Sequence, residues 1–108
     1  MTVAEWLSAR MPAPPAPLVE RLHDVLSGRL DESATQAHVM MLESAESLLA
    51  ELIALGCAQR DRALDLLVVD AMVTYAFEAA AESPDTLADD ATTAMASIAR
   101  LATPTLIA

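Results

Sequence analysis

The sequence is poor in the residues that many familiar active sites require. Among its 108 residues there are one cysteine and two glycines, and all six basic residues are arginines. Without lysine there is no Schiff-base or P-loop lysine, and two glycines are too few for a dinucleotide-binding or nucleophile-elbow motif. The lone Cys57 excludes an internal disulfide and fits a reducing compartment. These absences leave no motif that predicts catalysis or a cofactor.

Aromatic residues and long uncharged runs are also scarce. There is one Phe, one Trp and one Tyr, whereas hydrophobic residues as a class make up 55 % of the chain. The most apolar stretch, residues 63–81, contains Asp65, Asp70 and Glu78, each of which costs about 2.5–3.5 kcal/mol near a bilayer centre. The N-terminus lacks the basic start and apolar run of a signal peptide. We therefore expect a cytoplasmic protein with no membrane interaction.

The charge of the chain is strongly negative. Sixteen acidic residues against six arginines give a net charge of −10. A field of this sign repels phosphate backbones and anionic lipids, so it argues against nucleic-acid and membrane-surface binding. It would attract a cation or a partner protein with a basic surface.

Ala and Leu dominate the composition, and this favours helices over strands. Capping boxes, prolines and glycines mark the helix ends. The first predicted helix is capped by Thr2 and Glu5 and is followed by a linker at 12–17 and a second helix from 18 to Gly28. A long third helix runs from a Ser33–Gln36 capping box to Gly56. The fourth helix is predicted at about 60–82, and the last runs from Ser83, Pro84 and Asp85 to about 102.

These lengths predict an all-α fold, an antiparallel four-helix-bundle-like domain of about five helices. The two long helices would each span about 34 Å, and short connections make them pack antiparallel. The first bundle member is split by the proline-rich linker. We predict one helical domain over 1–108, made of a short docking helix (1–11), the linker (12–17), the bundle (18–102) and an apolar tail (103–108). The docking helix must pack on its own bundle or on a neighbouring chain, because it is too short to be stable alone.

A polar stripe crosses the most apolar helix. Asp70, Thr74 and Glu78 follow one another at i, i+4 and i+8, so they share one face of the helix. In one interpretation this face is solvent-exposed, with Leu67 and Phe77 elsewhere in the core. In the other, Asp70 is buried and is paired with an arginine or binds a cation or a polar ligand. We favour the solvent-facing interpretation, because carboxylates are almost never buried without a partner.

His38 is a second candidate polar residue, because it falls on the apolar face of the third helix. Neither His23 nor His38 has a glutamate three residues before it, so the Glu-x-x-His motif of di-iron bundles is absent. One histidine does not make a zinc site. The sequence therefore predicts no metal site, and His38 is expected at the edge of the core.

The stretch AHVMML (37–42) suggests an interface. Met41 and Leu42 face the expected core, and Val39 and Met40 are expected to point away from it, where large exposed apolar patches usually mark contacts with other molecules. Trp6 adds apolar surface outside the main helices. We predict a homodimer with Val39 and Met40 in or beside the interface.

Together these patterns predict a non-catalytic, acidic helical protein that self-associates and acts as a protein–protein interaction or scaffold module. Two alternatives stay open. One is a bundle that binds a small ligand or cation through Asp70, Glu78 and His38. The other is a helical enzyme of a type that the sequence does not identify.

Overall fold

The computed structural model describes residues 1–56, 60–83 and 87–102, with the backbone alone at 61 and 87. Cys57, the Pro84–Asp85 part of the last helix cap and the apolar tail 103–108 lie outside the described residues. Over the part that is described, the α-helices are α1 (Val3–Ser8), α2 (Ala16–Val25), α3 (Ala37–Leu55), α4 (Ala63–Ala81) and α5 (Leu87–Arg100).

The all-α class is confirmed. Within the described residues the only strand-like pairing is an isolated antiparallel bridge between Thr2 and Ser33. In the same part of the chain, no helix is long and apolar enough to cross a membrane.

The start of α1 is fixed by the predicted capping box. The backbone N–H of Glu5 donates to Thr2 Oγ1 at 3.2 Å, and the backbone N–H of Thr2 donates to Glu5 Oε1 at 3.1 Å. The backbone N–H and the hydroxyl of Thr2 both donate to the Glu5 carboxylate, and these bonds lower the pKa of Glu5. The linker is shorter than predicted, since α2 begins at Ala16, inside the proline run. Pro17 is tolerated in the first turn of α2 because backbone N–H groups in a first turn have no acceptor within the helix, so the missing N–H of proline costs no hydrogen bond.

Both ends of α3 are also fixed locally. The Ser33 hydroxyl accepts from the backbone N–H of Thr35 at 3.3 Å and starts a short 3₁₀ turn, Ala34–Gln36, that leads into α3. Gly56 follows Leu55 with φ of +90°, a backbone conformation that side chains disfavour. Arg62 Nη1 then donates to the carbonyl oxygens of Leu55 and Gly56, both at 2.6 Å. Arg62 thereby satisfies carbonyls that the end of a helix leaves without partners.

The core lies mainly between α3 and α4, which pack along their length. As the two parts of the split bundle member, α2 packs on α4 and α1 packs on the segment just before α3, and α5 contacts both long helices. No side chain that is buried among the described residues is polar or charged. The largest fully buried side chains lie at the start of α1, just after α2, and on α3 and α4: Val3, Leu26, Met40, Met41, Leu52, Val68 and Met72.

Candidate functional site

The predicted polar stripe lies on the outer face of α4. Asp70, Thr74 and Glu78 are all exposed, which agrees with the solvent-facing interpretation. The Thr74 hydroxyl donates to the backbone oxygen of Asp70 at 2.9 Å, a local bond within the helix. Asp70 is therefore hydrated rather than enclosed, and its carboxylate needs no buried partner.

The same face carries large apolar side chains. Leu64 is 36 % exposed, Leu67 56 % and Phe77 36 %. The expectation that Leu67 and Phe77 belong to the core is therefore wrong. The polar stripe marks the outward direction, but α4 is apolar around most of its circumference, so the sequence does not show how wide the exposed face is. The face that packs inward carries smaller side chains, and the three alanines among them allow neighbouring helices to approach closely: Val68, Val69, Met72, Ala76, Ala79 and Ala80.

Trp6 is not available as an interface residue, because it is only 2 % exposed. Its indole Nε1–H donates to Glu82 Oε1 at 2.9 Å, and its ring meets Tyr75 edge-to-face with centroids 6.2 Å apart. The interpretation of Trp6 as surplus apolar surface is thus corrected. It fastens α1 to the C-terminal half of α4 in the same chain, as expected for a helix too short to be stable alone.

Arg10 completes this attachment. Its guanidinium carbon lies 3.9 Å from the centroid of the Trp6 ring, a cation–π geometry. Its Nη1 lies 3.9 Å from Glu78 Oε2 and 3.8 Å from Glu82 Oε1. Glu78, a member of the predicted polar stripe, thus lies beside Arg10. Burial raises the pKa of Tyr75, and the charge of Glu78 raises it further, whereas Arg10 opposes this.

Met40 also differs from expectation. It is fully buried, so the interpretation that it points away from the core is wrong. Its neighbour Val39 is 43 % exposed and keeps the outward position expected of it. The inward arc of α3 includes Ala37, Met40 and Met41. These side chains belong to the same buried cluster as those of α1, so the core at this end of α3 is wider than the sequence predicted.

His38 lies at the junction of α3 and α5. Its Nε2 is 3.7 Å from Asp90 Oδ2, and both side chains are about a quarter exposed. His38 lines two cavities. One, of about 310 Å³, is a groove between α3 and α5 that includes Val39, Leu42 and Glu46. The other, of about 230 Å³, is bounded by Trp6 and Glu82 among others.

The structure does not assemble the three residues of the alternative ligand site. Asp70 lines neither of the cavities next to His38, and Glu78 lies beside Arg10. Among the described residues there is no group of three or more His, Cys, Asp or Glu side chains that could hold a metal ion.

A polar cleft of about 600 Å³ lies between α2 and α3. Both arginines that line it already form ion pairs. Arg21 binds Asp65 through two hydrogen bonds of 2.6 and 3.2 Å, and Arg29 binds Glu32 at 2.8 Å and Glu43 at 3.2 Å. These cations are therefore neutralised within the fold. Sequence reasoning missed the Arg21–Asp65 pair, because no local pattern links residues that are 44 positions apart.

Comparison with known proteins finds no matching family model, no matching curated protein and no matching solved structure.

Proposed function

We propose that this protein is a non-catalytic interaction module that self-associates as a homodimer through the outer face of α4. The observation that carries the proposal is the exposure of Leu64, Leu67 and Phe77 on one face of one helix. Large apolar side chains exposed on one face of a helix offer area that a protein partner can bury. The composition supports a cytoplasmic location, since the single cysteine fits a reducing compartment.

The polar residues on this face do not argue against the proposal. Asp70 and Thr74 lie between Leu67 and Phe77, and interfaces of proteins that also exist as monomers are about as polar as the rest of the surface. A face that alternates apolar and polar side chains keeps the single chain soluble and still offers area to bury. A second copy is the simplest partner, because two-fold pairing requires only one self-complementary surface.

Sedimentation equilibrium tests this proposal, at concentrations from about 10 μM to about 1 mM, which bracket weak and moderate affinities. We expect a reversible monomer–dimer equilibrium that tightens between low and moderate salt, as the repulsion between copies of charge −10 is screened. Leu67→Glu should shift the equilibrium at least tenfold towards the monomer.

Two matched variants make the test specific. Met95→Glu places the same charge on α5, at a side chain that is 69 % exposed, and should leave the equilibrium within about twofold of the parent. Val39→Glu places it in the groove between α3 and α5. A monomer throughout the concentration range would refute the homodimer. A dimer lost with Val39→Glu and retained with Leu67→Glu would move the interface to α3.

A further inference from the structure

The exposed positions of α4 form a regular seam. Ala63, Leu67, Asp70, Thr74, Phe77 and Ala81 are all exposed, and the steps between them are four, three, four, three and four residues. We name these six positions the α4 seam. This alternation of four-residue and three-residue steps is that of the contact positions in a two-helix coiled coil. The seam runs along all 19 residues of α4, a length of about 28 Å.

The chemistry of the seam is symmetric about Met72. Leu67 and Phe77 lie five residues on either side of it, and Asp70 and Thr74 lie two residues on either side. Ala63 and Ala81 end the seam at equal distances. Two α4 helices can therefore pair antiparallel about a two-fold axis that crosses the seam level with Met72. This pairing places Leu67 opposite Phe77 of the partner subunit, and the Asp70 carboxylate opposite the hydroxyl of Thr74 of the partner subunit.

We propose that two copies of the chain pair antiparallel through the α4 seam, with Leu67 against Phe77 of the partner subunit and Asp70 against Thr74 of the partner subunit. This inference rests on the proposed self-association and specifies its geometry. The apolar pairs supply the burial, and the small alanines at both ends let the helices approach closely.

The acidic residue favours this orientation over a parallel one. In a parallel pair Asp70 would lie beside Asp70 of the partner subunit, and like charges at contact positions are destabilising. In the antiparallel pair the two Asp70 positions are four residues apart along the axis, about 6 Å. Each carboxylate then lies opposite the hydroxyl of Thr74, which in the single chain donates to the backbone oxygen of Asp70.

The size of the seam sets the strength of the pairing. A strip about 28 Å long and about 10 Å wide has a footprint of roughly 300 Å² per copy. A stable complex buries about 800 Å² of accessible surface per partner, so the seam belongs with weak and transient contacts. We expect a reversible dimer with a dissociation constant in the range of about 10 μM to 1 mM.

Cross-linking tests the geometry directly. Leu67→Cys and Phe77→Cys are made separately in a Cys57→Ser background, which removes the only native thiol. Each variant alone, and a mixture of the two, is treated with a short bismaleimide reagent and analysed by mass spectrometry. We expect the mixture to give a 67–77 heterodimer in at least tenfold higher yield than either variant alone. The reason is that identical positions lie ten residues apart in the antiparallel pair, about 15 Å along the axis.

The possible outcomes separate the geometry from the self-association itself. Efficient cross-linking of each variant with itself would overturn the antiparallel arrangement in favour of a parallel one. A parent dimer in sedimentation that gives no 67–77 product would refute the α4 seam while the homodimer stands. A parent that is monomeric in sedimentation would refute both. Met95→Cys mixed with Phe77→Cys is the control, and it should give only background yield.

A second measurement does not depend on cysteine variants. Asp70→Leu fills the one acidic seam position with an apolar side chain at an exposed site, so the monomer should fold normally. We expect this variant to dimerise at least tenfold more tightly, because a polar residue at a coiled-coil contact position weakens the pairing. Glu46→Leu on α3 is its matched control, since it also replaces an acid with leucine. An unchanged dissociation constant for Asp70→Leu, or equal tightening by both variants, would overturn the proposal.

Discussion

At the scale of single residues, hydrophobicity alone does not decide burial in this protein. Met40 is fully buried next to the exposed Val39, and Leu67 is 56 % exposed next to the buried Val68. Neighbours on a helix differ in direction by about 100°, so one step along the chain moves a side chain from core to solvent. The energetic importance of an apolar residue here therefore follows its position on the helix and not its hydrophobicity.

Alanine substitutions should show this difference. Met40→Ala is expected to lower the free energy of unfolding by about 2–5 kcal/mol, because it opens a cavity in a fully buried position. Leu67→Ala and Asp70→Ala should each cost less than about 1 kcal/mol, because both side chains are solvated in the single chain. Urea titrations at low micromolar concentration, where the monomer dominates, compare the three variants. A loss above 2 kcal/mol for Leu67→Ala would contradict the exposure of this side chain.

At the scale of elements, the six-residue helix α1 depends on its contacts for its stability. Its capping box satisfies the first turn, and its backbone joins the loop before α3 through hydrogen bonds from Val3 N–H to the Glu32 oxygen at 2.8 Å and from Ala4 N–H to the Leu30 oxygen at 3.0 Å. Trp6 then anchors the helix to Tyr75 and Glu82 on the α4 side. The element is a folded part of the bundle and not a free docking arm.

Removing the anchor should therefore destabilise the whole domain. Trp6→Ala is expected to cost about 3–5 kcal/mol in denaturant unfolding, because a large buried ring is lost and its packing on Tyr75 with it. Met11→Ala, just beyond α1 and 85 % exposed, is the control and should change stability by less than about 0.5 kcal/mol. If the two variants were equally stable, α1 would not be integral to the fold.

At the scale of the whole molecule, the arginines connect parts of the fold, whereas most of the acidic residues are exposed to solvent. Arg10, Arg21 and Arg29 each join two parts of the fold through carboxylates, and Arg62 caps α3. The acids outnumber the arginines by ten, so most of the excess negative charge faces solvent and acts between copies. Self-association must therefore overcome a repulsion that salt screens.

The melting temperature should show whether self-association overcomes the repulsion between copies. A dimer that forms only from native chains raises the melting temperature as protein concentration rises. We expect such a rise between about 10 μM and 1 mM, and a larger one at moderate than at low salt. Leu67→Glu should melt at one temperature over the same range. The Met95→Glu control should keep the parent's dependence, whereas a parent without any concentration dependence would argue against the dimer.

Local signals in the sequence determined the elements of this protein. The Thr2–Glu5 capping box, the proline run and Gly56 act over a few residues, so the class and the number of helices followed from neighbours in the chain. The stripe of Asp70, Thr74 and Glu78 was also predictable, because helical spacing alone places these residues on one face.

The tertiary structure decided which apolar residues lie inside. On α4 the polar stripe is narrow, so it marks the outward direction but not the width of the exposed face, and it leaves the burial of Leu67 undecided. Leu67 is exposed and Val68 is buried because the fold packs on the face that carries Ala76, Ala79 and Ala80, where small side chains permit close packing. Trp6 and Met40 became core residues for a related reason. α1 folds back onto its own bundle through partners, such as Glu82, that are 76 residues away in the chain.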